Sequence, residues 1–304
     1  MQKKERLTCA SVLLGTLAIF VVLVLLLRYG RAEWLYRGLL ATHRGWEKPA
    51  AFGGFHLIWL LFCVVFAVLL AILGARRGRT ICDRLTFWFG ISFLWLELYK
   101  QLYSFLVLWD GHYDFGILPF QFCSLPLYLC PIAALLPAGR IKESLYRFLA
   151  LFGTMGGCLV MVYPRFWAEM ALCFHTMLWH TLMICLGVFL LYARGYGKSW
   201  RREVLPATVV FLLALGLATA LNLVLTPLSQ ASPNPLNLFY MSPYQSTYFL
   251  VVKDVWAAWG WGAAMLAYIL LFIFVGATLV FLVAWLTRRL GALLARREKK
   301  EEKN

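Results

Sequence analysis

Hydrophobic residues fall along this chain in eight long runs, separated by short stretches rich in charge and turn formers. The runs are Thr8 to Leu27, Phe55 to Leu73, Leu85 to Leu108, Leu118 to Leu136, Leu145 to Val162, Leu172 to Leu191, Val204 to Leu225 and Trp256 to Leu286. A helix needs about 20 mainly apolar residues to cross the hydrocarbon of a bilayer, and a barrel strand only about ten of alternating polarity. The pattern therefore predicts an all-α, polytopic membrane helix bundle. The first run follows Lys3, Lys4 and Arg6, exceeds the usual signal-peptide core and is followed by no small-residue cleavage pattern. Residues 1–28 are expected to be a retained, accessory transmembrane helix. Residues 29–54 mix Arg31, Arg37, Arg44 and Lys48 with Trp34, Tyr36 and Trp46, the composition of an interfacial amphipathic linker. A seven-helix bundle over 55–286 and a basic tail over 287–304 complete the expected organisation.

Composition agrees: 62% of residues are apolar and 14% charged, outside the range of soluble domains. The net charge of +15 alters the picture only through its placement. Arg76, Arg77, Arg79 and Arg84, then Arg140, Lys142 and Arg147, then Arg194, Lys198, Arg201 and Arg202 alternate with loops poor in cations. The positive-inside rule then puts both termini in the cytoplasm of a cell-membrane protein. Such cations meet anionic headgroups, so membrane phospholipids are the expected partners and nucleic acid is not. Seven of eight cysteines lie in apolar runs and Cys82 in a loop; no Cys or His spacing suggests zinc. Neither a metal nor another cofactor is expected.

Polar side chains within the runs carry the candidate chemistry, because such groups are costly in lipid unless they face a protein interior or a wet cavity. With the orientation above, nearly all lie in the outer half of the bilayer. Glu97, Lys100, Gln101 and Ser104 follow i, i+3, i+4 and i+7 and share a helix face. Read as a helix, the run from Leu118 carries Gln121, Ser124 and Tyr128 on one stripe, with Cys123 about 200° from Gln121. His175 and His180 lie about 140° apart on a helix and do not form the i, i+4 pair of a helix-borne metal site. Asn222 and His56 sit near outer helix ends. Asn234, Asn237, Tyr240, Tyr244 and Gln245 occupy a Pro-rich loop of lid length, ahead of Lys253 and Asp254. Gly153, Gly156 and Gly157 supply a small-residue packing face. Glu97, Gln121, His175 and Asn222 are expected to meet in one polar cavity. Two functions suit it: an enzyme with an imidazole base, or a protein that binds or transports a lipid or small solute.

Leu118-Pro-x-Gln-x-Cys-Ser124, Phe174-His175 with His180, Asn222, and Asn237-x-x-Tyr240-Met241 resemble the pattern of the YwaF-type bacterial integral membrane proteins. That family is similar to an animal group of cysteine-dependent transmembrane acyltransferases that remodel ether phospholipids. The resemblance covers about Phe52 to Leu286 and implies a seven-helix bundle with phospholipid acyl transfer in the outer leaflet. The pattern departs where the bacterial relatives carry His, here Gln121, and where the animal group carries its cysteine, here Phe120. His175 or His180 would be the general base and Cys123 a displaced nucleophile. Gln121 and Asn222 would polarise the ester, and Lys100 would hold a phosphate. Glu97, Gln101, Ser124, Asn237 and Tyr240 would complete the substrate site.

Overall fold

A computed structural model describes residues 2–31, 33–42 and 47–301, with side chains throughout except at 79, 286–288 and 290–301. Arg44 and Trp46 of the linker and residues 302–304 of the tail lie outside it. The described chain is helical without strands: α1 (Lys3–Arg28), α2 (Glu33–Leu40), α3 (Gly54–Tyr103), α4 (Leu125–Leu135), α5 (Arg140–Phe148), α6 (Thr154–Val162), α7 (Met170–Arg194), α8 (Trp200–Leu228) and α9 (Leu250–Glu301). Six stretches among the described residues are long and apolar enough to cross a membrane. The molecule is an all-helical membrane bundle.

Four elements differ from the periodicity reading. The expected loop over 74–84 is mostly helical, and helical backbone extends over Gly54 to Tyr103 with no long loop between the two runs. Its two halves nonetheless run in opposite directions along α7. Phe55 lies 5.1 Å from Phe174, and Gly74 and Gly78 pack on Phe189 and Ala193. Beyond them the chain returns, with Phe93 4.8 Å from Trp179. The reversal therefore falls in the Arg-rich stretch after Gly78, and Cys82, expected in a loop, is buried in it. The run from Leu118 yields only the short α4, because Pro119 and a 3₁₀ turn at Phe122–Ser124 keep its first third out of α-helix. The run from Leu145 begins earlier, at Arg140, and passes through a π-helical turn at Leu149–Gly153 between α5 and α6. Finally α9 breaks at Gly260 (φ 82°, ψ 176°), a conformation that only glycine adopts cheaply.

Close backbone approach explains the other informative glycines. A Cβ at Gly74 would stand 2.8 Å from the Phe189 carbonyl oxygen, and one at Gly78 2.4 Å from Ala193 Cα. These two residues, four apart, let the first half of α3 lie directly on α7, the packing that lipid-embedded helices use in place of a hydrophobic driving force. Of the expected face on α6, Gly156 and Gly157 do pack closely, Gly157 on the His180 carbonyl, whereas Gly153 faces open space. Gly78→Ala must push apart two backbones, so it is expected to cost about 1–3 kcal/mol. A lowered melting temperature of the detergent-solubilised protein is the readout; an unchanged one would show that the two helices are not in this register.

α1 buries only Cys9 and Thr16 and lies on the outside of α3, with Phe20 5.7 Å from Trp95 and Glu5 paired with Arg84. The Glu5–Arg84 pair puts the start of α1 at the end of the bundle where α3 reverses. That end also gathers the cations of α5 and the α7–α8 connection, and is called the basic end below. The opposite end collects the irregular segments 104–124 and 229–249 and is called the loop end.

Candidate functional site

The loop end is not covered by a free-standing lid. Leu236, Leu238, Phe239, Met241 and Ser242 are almost wholly buried, and Phe239 reaches the rings of Phe122 (5.9 Å) and Phe211 (6.5 Å) inside the bundle. A backbone taken so deep must find partners for its polar groups, and the polar side chains of the apolar runs supply them. Asn222 donates to the Leu238 carbonyl at 2.9 Å and accepts from its N–H at 2.8 Å. Gln121 does the same for two residues, donating to the Asn237 carbonyl at 2.9 Å and accepting from Phe239 N–H at 2.8 Å. Thr226 donates to the Leu236 carbonyl, and the Asn237 side chain accepts from Ser242 N–H. Phe239 (φ 56°) and Tyr240 (φ 55°) are both left-handed, a strained pair for residues with a Cβ, costing about 1–3 kcal/mol each. The Gln121 and Asn222 bonds fix the backbone that leads into this strained pair.

Glu97, Lys100 and Gln101 form a second cluster, on the returning half of α3. One carboxylate oxygen, Glu97 Oε1, accepts from Lys100 at 2.8 Å and from Gln101 at 2.6 Å. Gln101 donates again to the Ile117 carbonyl at 2.8 Å, tying α3 to the irregular segment before α4. The Lys100 ammonium expected to hold a phosphate is thus neutralised by Glu97. Ser104 is buried at the end of this face and Ser124 at the start of α4.

A third cluster surrounds Trp179. Its indole N–H donates to the Cys123 carbonyl at 3.0 Å, and its ring lies 5.5 Å from that of His175. Since Phe122–Ser124 is a 3₁₀ turn, the helical angle between Gln121 and Cys123 does not apply; Cys123 is half-buried, with its carbonyl against α7. His180 Nδ1 is 2.7 Å from the Thr176 carbonyl. A carbonyl can only accept, so Nδ1 carries the proton and Nε2 presents a lone pair. His180 Nε2 is buried without a partner among the described residues, as are His175 Nε2, Glu97 Oε2 and the Tyr268 hydroxyl. Lys100 lies within electrostatic reach of Cys123, His175 and His180, and Cys123 within reach of Tyr240 and Tyr268.

The two histidines face different surroundings. One turn beyond His180 on the same face, Met183 meets the α6 backbone at Gly156 together with Phe122, the neighbour of Cys123. His180 stands one turn before Met183 on α7, with its carbonyl against Gly157 of α6. His175 instead lines a lateral groove of about 440 Å³ with Trp59, Leu96, Tyr99 and Phe174. Glu97, Gln121 and Asn222 do not line that groove; they share an interior of hydrogen bonds rather than the open cavity expected. His56 is scaffold, accepting from Phe52 N–H at 2.9 Å and bonding the Met161 carbonyl at 2.8 Å. Two contributors escaped the sequence reading. Tyr268 hid in an apolar run, where its phenol was the one polar signal, and Thr176 acts through its backbone, which no side-chain pattern reveals.

The fold and this buried polar interior define a multi-pass helical membrane protein. A profile of the TMEM164 family, a transmembrane family, matches residues 51–287, and the chain belongs to that family. The match starts after α1, near the end of the linker, and ends with the apolar part of α9. Comparison with curated proteins and with solved structures gave no match.

Proposed function

We propose that this chain transfers acyl groups between membrane lipids, with Cys123 as the nucleophile and His180 as its base. The supporting observation is the His180 imidazole: its tautomer is set by Thr176 and its Nε2 is buried without a partner among the described residues, one residue along α7 from Trp179, which bonds the Cys123 carbonyl. In the reaction, Nε2 takes the thiol proton and the sulfur attacks an ester carbonyl of a phospholipid. The C–O ester bond breaks, the departing lysolipid oxygen receives the proton from the imidazolium, and a thioester remains on Cys123. A hydroxyl of a second lipid attacks the thioester, gives its proton to Nε2 and leaves with the acyl group; the proton returns to sulfur. Tyr268 donates to the oxygen that becomes negative. Gln121, Asn222 and Asn237 act by holding Phe239 and Tyr240 against the site. The cations gathered at the basic end support an orientation with that end and both termini on the cytoplasmic side of the cell membrane, with the site serving the opposite leaflet.

The test is to incubate the purified protein with a phosphatidylcholine bearing an alkyne-tagged acyl chain. A hydroxylamine-labile tag on Cys123, absent in Cys123→Ser, is expected, together with a changed acyl-chain profile in cells carrying the wild type. No adduct and an unchanged profile would sink the reading. Solute uptake that depends on Glu97 and Lys100 would then support transport through the same interior.

A further inference from the structure

The lateral groove lies between the Gly54–Gly78 and Met170–Arg194 spans, so the medium against it is lipid. Its mouth is at the loop end, where Met170 begins α7 and the Thr42 and Tyr99 hydroxyls stand 3.2 Å apart. Its floor reaches Leu178, roughly 12 Å deeper at 1.5 Å per helical residue. Trp59, Leu96 and Phe174 give it apolar walls, with hydroxyls at the shallow end only. One feature is out of place in a simple gap between helices. His175 is only 8% exposed, lines this groove, and offers an Nε2 without a partner among the described residues. A buried ring nitrogen left without a partner in apolar surroundings is costly, and a ligand with a hydrogen-bonding group at that depth removes the cost.

We propose that the groove is a lipid-binding site that seats one acyl chain of a bilayer glycerolipid, glycerol end at Thr42 and Tyr99, chain running down past His175 to Leu178. The volume falls in the range of small-ligand pockets, apolar with a few placed polar groups. A glycerol hydroxyl, or a water held there, donates to His175. Trp59, Met170, Phe174 and Leu178 lie in membrane spans, so a bilayer lipid reaches the groove without leaving the membrane. The inference deepens the acyl-transfer reading, on which it rests for the use made of the bound lipid, while binding itself needs no thiol.

The test uses the full chain in nanodiscs containing a phosphatidylcholine with a diazirine midway along one acyl chain. After irradiation, adducts are expected on the Leu96–Tyr99 and Phe174–Leu178 peptides. Ala171→Trp, which fills the mouth, is expected to reduce them at least about fivefold. Leu178→Trp fills the floor from the other end, and is read alongside in case the first variant fails to fold. Adducts spread evenly over lipid-facing residues such as Leu14 and Val21 of α1, with neither folded variant altering them, would overturn the proposal. So would labelling by a diazirine fatty acid but not by the phospholipid. Cys123→Ser separates the two readings: it keeps groove labelling if this site is correct, whether or not acyl transfer is.

Discussion

His180→Ala is expected to slow acyl transfer by about 100-fold to 10,000-fold, the usual contribution of a placed general base, while leaving the protein folded. The reason is the geometry of one ring. Its Nδ1–H is committed to the Thr176 carbonyl at 2.7 Å, so the proton on that nitrogen stays put and Nε2 alone does the accepting. Truncation removes the base and opens a small hole beside Gly157, whose neighbour is the backbone carbonyl of residue 180 and not its ring. His175→Ala should behave differently. Its ring faces the lateral groove, so the apparent affinity for lipid should suffer more than the rate at saturating lipid. The measurement is transfer of a labelled acyl chain from phosphatidylcholine to a lysolipid by purified variants, at several lipid concentrations. Equal losses of rate in both variants, with Cys123→Ser fully active, would remove the proposed division of labour.

How much of this was legible in the sequence depends on what kind of partner each residue found. The apolar runs all became mainly helical, because run length decides whether a segment can cross lipid, but their bounds held only for some: two runs share α3, the run from Leu118 gave only the short α4, and α9 extends past its run at both ends. Polar residues inside those runs were correctly read as facing inward, since lipid leaves them no alternative. What they would touch was not readable. Asn222 and Gln121 were expected to face a substrate, yet they bond Leu238, Asn237 and Phe239. A side-chain amide matches a peptide group as well as it matches an ester, and nothing in a helical pattern announces that a loop will descend to meet it. The Pro-rich composition of 227–243 signalled irregular backbone but not its depth; depth came from Leu236, Leu238, Phe239 and Met241, four apolar residues within a segment read as a lid. The helical turn after Gly78 was hidden for a similar reason. Arg76, Arg77 and Arg79 read as loop because they are charged, but arginine is a good helix former. Charge at a membrane surface says where a segment lies and not what its backbone does.

A buried ion pair at the basic end, absent from the candidate residues, is expected to be the largest single contributor to stability. Lys142 is 4% exposed and spends its three donors on Asp83 at 2.7 Å and on the carbonyls of Leu136 at 3.0 Å and Ala134 at 3.4 Å. Those carbonyls close α4, so one ammonium joins the reversal of α3 and the start of α5 to the C-terminal end of α4, where the helix dipole also favours a cation. Tyr146 donates to the other Asp83 oxygen at 2.6 Å. Lys142→Met removes the cation and leaves the carboxylate; breaking such a pair costs about 3 kcal/mol, the low end for buried ion pairs, since Tyr146 keeps one oxygen bonded. Asp83 lies outside the spans, and its acidity gives a second readout. Burial pushes its carboxyl up, but the hydrogen bonds from Lys142 and Tyr146 and the Lys142 charge outweigh this and hold it below the usual value. A carboxyl depressed in the folded state contributes stability that is complete above its unfolded value of about 3.9. That contribution is lost as pH falls through the depressed folded value. The melting temperature of the solubilised wild type should therefore drop on acidification below about pH 4, and Lys142→Met should start lower and lose less over that interval. Parallel curves for the two proteins would mean that Lys142 does not set the Asp83 charge, and that the three helix ends are joined by packing alone.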